Sequence, residues 1–186
     1  MEFLYHLCPT DMRGSVLYSL NELRDRHPDV YRRERAKFVG REGVLTYPVP
    51  HLGVTWADTV NVSALDPRLL LAERRRLGMP PSRMLERRLV RIPVDRVSGI
   101  PAVRYTATAH WINSRPGEKA PLEPPTSDFS PFDAATYTEE RGVPPAHRAY
   151  LAERLAAGKA ALGFVFVPHV LVAAPIDLAG LELEPP

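Results

Sequence analysis

Cysteine is almost missing from this chain of 186 residues. The single one, Cys8, forms no internal disulfide and builds no cysteine-based zinc site. A reducing, cytoplasmic compartment is the simple expectation. An excess of one charge is missing too: the formal net charge is +2 and the pI ≈ 8.8, so charge neither demands nor excludes nucleic acid as a partner. There is no long apolar run. The longest, residues 160–176, is interrupted by His169 and two prolines and is too broken to span a bilayer, so no membrane partner is expected. The opening Met-Glu-Phe lacks a basic segment followed by an apolar one, and no signal peptide is expected. Internal repeats, a Walker loop, a dinucleotide glycine fingerprint, a His-Glu-x-x-His helix and a nucleophile elbow are all absent, which closes most familiar routes to phosphate or metal chemistry.

What remains is an ordinary globular composition, 45% hydrophobic, in a chain long enough to bury roughly 70% of its unfolded surface as one domain. Residues 3–7 and 164–172 read as apolar strands, each carrying one histidine, His6 and His169. Between them, Thr10 or Asp11 would cap a helix through Val16, Leu17, Leu20 and Leu23, and His27-Pro28 would open a second one reaching Phe38. Residues 56–64 alternate as a strand, and Asp66-Pro67 starts a helix that Gly78 ends. Further strands are expected over residues 88–94, 103–108, 163–167, 170–173 and 180–184. Pro144-Pro145 would open a last helix closed by Gly158. Residues 111–131, rich in Pro, Gly, Ser and charge, read as a long surface loop. Strands and helices mix without βαβ alternation. The expected fold is therefore a single α+β domain with a mixed or antiparallel sheet and N-terminal helices.

Polar residues set into apolar surroundings mark the candidate site. His6, within Leu4-Tyr5-His6-Leu7, is either a core-edge histidine satisfied by one backbone hydrogen bond or a contact to a ribose or phosphate. Arg41 follows Gly40, where a guanidinium can hold a phosphate or carboxylate bidentately; its bland alternative is a surface arginine paired with Glu42. Trp56 with Asp58, Asn61 and Ser63 offers an aromatic stacking surface and polar groups, or simply a half-exposed strand. His169 follows Pro168, which favours an edge or bulge where side chains are aimed into sites, against a buried structural histidine. His27, His51, His110 and His147 have no metal-ligand spacing, and no metal site is expected. Arg74-Arg75-Arg76 and Arg87-Arg88 are solvated helix faces or contacts to a nucleic-acid backbone.

Taken in order, these segments resemble the ADP-ribosyltransferase fold as used by bacterial DarT-like toxins. The opening strand and turn Tyr5-His6-Leu7-Cys8-Pro9-Thr10 lead into a helix, and Arg41 precedes a polar strand running into Asp66-Pro67-Arg68-Leu69-Leu70. His169-Val170-Leu171-Val172 and Ala173-Ala174-Pro175-Ile176-Asp177 close the chain. The segments Lys37-Phe38-Val39-Gly40-Arg41-Glu42, Trp56-Ala57-Asp58 and Val167-Pro168-His169-Val170-Leu171-Val172 also look like those of an uncharacterised bacterial family.

The resemblance implies NAD as cofactor, with His6, Arg41, Trp56, Asn61 and Ser63 on the nucleotide and His169 with Asp58 handling protons or the ribose. Such transferases stabilise an oxocarbenium-like state with a fixed glutamate, and His169 stands at that position here; an imidazole does not supply the same negative charge. Either another carboxylate, Asp58 or Glu182, takes the role, or the fold serves a different reaction, or it only binds. The expected function is a nucleotide-processing enzyme acting on NAD or a nucleic acid. The alternative is a non-catalytic intracellular module that binds a nucleotide or a protein partner.

Overall fold

Ser19 decides where the first helix begins. In the computed structural model, which describes residues 1–9, 12–40, 42–80, 82–108 and 124–186, its hydroxyl accepts from the Glu22 backbone N–H at 3.3 Å. The Glu22 carboxylate accepts from the Ser19 N–H at 3.0 Å, completing a capping box. Helix α1 is therefore Leu20–Arg26. Val16 and Leu17, expected inside that helix, instead form a short strand, because the cap lies beyond them. Thr10 and Asp11, the expected caps, lie outside the described residues. Pro28 then opens α2, Pro28–Ala36. Asp66 caps α3, Pro67–Arg76, by accepting from the Arg68 N–H at 2.9 Å, and α4 is Pro145–Ala156. Gly78 (φ 68°) and Gly158 (φ 60°) follow α3 and α4 in the left-handed conformation that ends a helix without a Cβ penalty.

The strands are β1 (Phe3–Leu7), β2 (Val16–Leu17), β3 (Val60–Ser63), β4 (Leu89–Pro93), β5 (Ala102–Tyr105), β6 (Phe129–Pro131), β7 (His169–Val172), β8 (Ile176–Asp177) and β9 (Leu183–Glu184). Seven form one sheet in the order β6-β5-β7-β3-β1-β4-β9, with every neighbouring pair antiparallel; β2 and β8 pair separately. The α+β class and a largely antiparallel sheet are thus observed. Strand β7 is central and apolar on both faces: Val170, Leu171 and Val172 are all fully buried. Alternation sends Val170 and Val172 to a core with Leu4, Val62, Val90 and Ile92. Leu171 goes to the opposite side, with Tyr47, Trp56, Tyr105 and Phe129.

Further expectations need correction, beginning with the strand expected over residues 103–108, which runs from Ala102 and ends at Tyr105. Residues 56–64 are not one strand, because Thr55 and Asp58 form a capping box that closes Trp56–Asp58 into a 3-10 turn before β3 begins. Residues 163–167 form no strand: Phe166 takes a positive φ of 59° and Val167 N–H turns back to the Phe164 carbonyl at 3.3 Å. Only Leu183–Glu184 of the segment 180–184 pairs with β4. The end of the expected loop 111–131 is ordered as a 3-10 turn, Thr126–Asp128, followed by β6. The Asp128 carboxylate accepts from the Thr108 hydroxyl at 2.6 Å and its N–H at 3.1 Å, which ties that segment to the end of β5. Residues 111–123 of that loop fall outside the described residues.

Candidate functional site

The sheet parts along one seam. Strand β1 pairs with β4 at five positions, from Phe3↔Pro93 to Leu7↔Leu89, yet with β3 it shares only Tyr5↔Ser63. Beyond that pair the Asn61 carbonyl is met by a side chain instead of a strand, with His6 Nδ1 at 3.1 Å. A carbonyl oxygen only accepts, so Nδ1 carries the ring proton and donates it. Burial lowers the His6 pKa, more than the Asn61 carbonyl and Glu34 raise it. The ring is therefore neutral near pH 7, and Nε2 is a bare acceptor.

His6 lines a cleft of about 210 Å³ that opens at this seam. Trp56, Ala57, Thr59 and Asn61 form the sheet side. Leu20, Leu23, His27 and Val30 of the α1–α2 hairpin form the opposite wall. Arg13, Arg33 and Glu34 bring charge to it; Arg13 pairs with Asp29 at 2.9 Å, and Glu34 pairs with Lys37 and with Arg33. Trp56 is held by an edge-on contact with Tyr105, ring centroids 5.3 Å apart at 85°. It is buried in the aromatic cluster, so what it offers the cleft is part of a fixed wall.

The candidate residues divide accordingly. The structure brings His6, Trp56 and Asn61 together, and Arg41 lies outside the described residues. Ser63 is buried, and its hydroxyl closes on Leu65, donating to the carbonyl at 2.7 Å and accepting from the N–H at 3.1 Å. Asp58 serves the chain around it. One carboxylate oxygen accepts from the Thr55 N–H (2.9 Å) and hydroxyl (2.6 Å), the other from Asn21 Nδ2 at 2.6 Å. Burial opposes the Asp58 charge, but these hydrogen bonds outweigh it and hold the carboxyl below the usual range.

His169 sits in a cross-strand row with Ser63 and Tyr105 and is not part of the cleft lining. Its Nδ1 donates to the Val167 carbonyl at 2.8 Å, and Phe164 packs edge-on against its ring at 5.3 Å. Burial pushes its pKa down to about 4; the Val167 carbonyl resists the shift and His6 adds to it. The two histidines thus sense each other, while only His6 borders the cleft. At neutral pH both are uncharged acceptors through Nε2, unable to act as general acids without first taking a proton at a cost.

Sequence reasoning passed over the hairpin wall. The spacing of Leu20 and Leu23 is that of any core-facing helix, and nothing local says that the space they face is open. No group of three or more His, Cys, Asp or Glu side chains able to hold a metal occurs among the described residues, nor any helix long and apolar enough to cross a membrane. No protein family, curated protein or solved structure matches the chain.

Proposed function

We propose that the seam cleft binds a nucleotide, with NAD the first candidate, and that the chain is a nucleotide-processing protein built along ADP-ribosyltransferase-like lines. The observation that carries this reading is the parting of β1 from β3 with a neutral His6 set in the gap. Its bare Nε2 suits a ligand that brings a donor, such as a ribose hydroxyl or a carboxamide N–H. A cleft of about 210 Å³ is smaller than most ligand pockets, which run from about 300 Å³. It has room for one ring and its sugar, which leaves a ligand's phosphates at the charged rim near Arg13 and Arg33. A reducing, cytoplasmic setting suits the unpaired Cys8.

A second reading is a non-catalytic nucleotide-binding module. It is favoured by two observations: Asp58 is spent on capping, and His169 is held neutral away from the cleft.

Calorimetric titration with NAD, ADP-ribose and adenosine tests the binding, and chromatographic assay for released nicotinamide separates the two readings. Binding with nicotinamide release supports the enzyme. Binding without release supports the module. Absence of heat with all three ligands ends the nucleotide reading. His6→Ala is expected to weaken binding about tenfold, the worth of one hydrogen bond of average strength.

A further inference from the structure

The helices walling the cleft differ from the other two. Neither α1 nor α2 buries a residue, whereas α3 buries Leu70 and Leu71 and α4 buries His147, Tyr150 and Leu151. Helices this short draw their stability from the apolar face they pack. Here that face, Leu20, Leu23 and Val30, looks into the open cleft.

The hairpin is fastened at its root. Strand β2 pairs with β8 through Val16↔Asp177 and Leu17↔Ile176, and Leu17 and Ser19 are buried. Just beyond, Asn21 Nδ2 donates to Asp58 at 2.6 Å, linking α1 to the 3-10 turn beneath it. Within the hairpin, His27 joins the two helices as the end of one and the start of the next, while Arg13, ahead of β2 on the root side, pairs with Asp29 of α2 at 2.9 Å. At the far end Phe38 rests against the cluster of Tyr47 and Trp56, a contact that opening must release, and the chain then leaves through Val39, 77% exposed, and Gly40 at φ 80°, a left-handed conformation that glycine takes without strain.

We infer that the α1–α2 hairpin is a hinged cover, which opens from the sheet as a unit about its β2 root and closes when a ligand fills the cleft and gives Leu20, Leu23 and Val30 a surface to pack on. That the ligand is a nucleotide rests on the reading above; that the hairpin opens on its own does not. Asp58 and Asn21 then act as the latch beside the hinge, and the flat apolar part of the ligand is what the cover recognises. Segments with few buried apolar contacts are those that open locally without global unfolding.

Hydrogen exchange read by mass spectrometry across a series of low urea concentrations tests the cover in the free protein. Amides of α1 and of α2 after Pro28 are expected to exchange through openings almost insensitive to urea, while those of β1, β3 and β7 follow global unfolding. Asn21→Ala should speed exchange in the hairpin about fivefold, and Val30→Phe, which fills the cleft from the cover's side, should slow it about tenfold. Equal urea dependence in hairpin and strands overturns the cover, and so does a Val30→Phe hairpin that folds but exchanges no more slowly. In a second arm, NAD, ADP-ribose and adenosine are added one at a time with binding followed by calorimetry. Heat of binding with unchanged hairpin exchange overturns closure on the ligand. Absence of heat alongside urea-insensitive hairpin exchange removes the nucleotide and leaves the cover standing.

Discussion

At the scale of single residues, burial decides what a side chain's hydrogen bond is worth. Two side chains on or beside α4 hold neighbouring parts of the segment leading to β7. His147 is fully buried and its Nδ1 donates to the Val165 carbonyl at 2.6 Å; Arg154 is half-buried, and its Nε donates to the Ala160 carbonyl at 2.8 Å in a bond that water can reach. The bonds are similar in length, but their removal is not similar in cost. His147→Ala opens a cavity and strands a buried carbonyl, with an expected loss of about 3 kcal/mol in urea unfolding. Arg154→Ala lets water take the freed carbonyl and is expected to cost less than about 0.5 kcal/mol. Equal losses would mean that the segment is not pinned through His147.

The same reasoning separates His6 from His169 as candidates. Each gives its Nδ1 proton to a backbone carbonyl and keeps Nε2 as an acceptor, but only His6 stands at a seam where a ligand can meet it. Both were visible in the sequence as polar interruptions of apolar runs. What could not be read there was the seam, because it depends on how many rungs two strands share, and β1 and β3 are more than fifty residues apart in the chain.

At the scale of elements, helix boundaries are carried by local chemistry and so were legible. Asp66-Pro67, Pro28, Gly78 and Gly158 each act on backbone groups within a turn of themselves. The first helix shows the limit. Ser19-x-x-Glu22 is as local as the others, but the apolar spacing of Val16 and Leu17 masked it, and those two residues belong to a strand whose partner lies near the other end of the chain. Likewise, Thr55-x-x-Asp58 is a capping box inside what alternation alone reads as a strand.

Asp58→Ala tests that structural duty. It removes the acceptor for Thr55 and Asn21 together and is expected to lower stability by about 1–2 kcal/mol, seen as a fall in melting temperature with or without nucleotide. A variant of unchanged stability that has lost nicotinamide release would return Asp58 to a catalytic role. Ser19→Ala should cost about 1 kcal/mol by the same logic. Because Ser19 sits at the hairpin root, its loss should loosen α1 without shifting the exchange of β7.

At the scale of the whole molecule, the histidines make the fold sensitive to acid. His169 has its pKa pushed down to about 4, and His6 and His147 are both lowered, in each case first of all by burial. In the unfolded chain a histidine titrates near 6.5, so between about pH 6.5 and 4 the unfolded state binds protons that the folded state refuses. Stability from these groups is therefore fully present above about pH 6.5 and is lost as pH falls toward 4. For His169 alone the interval corresponds to roughly 3 kcal/mol, an upper figure because the residue as a whole is only half-buried. Carboxylates with lowered pKa, Asp58 and Glu73 among them, add their own loss further down the scale, as their protonation undoes hydrogen bonds and ion pairs. Urea unfolding at pH 7.5, 6.0 and 5.0 should thus show a steep decline already between the last two values. His169→Gln, which cannot take up a proton, should flatten that decline while leaving the later carboxylate loss in place. A wild-type curve level down to pH 5 would mean that these imidazoles are better solvated than their surroundings imply, and the neutral acceptor assigned to His6 at the cleft would lose its physical basis with them.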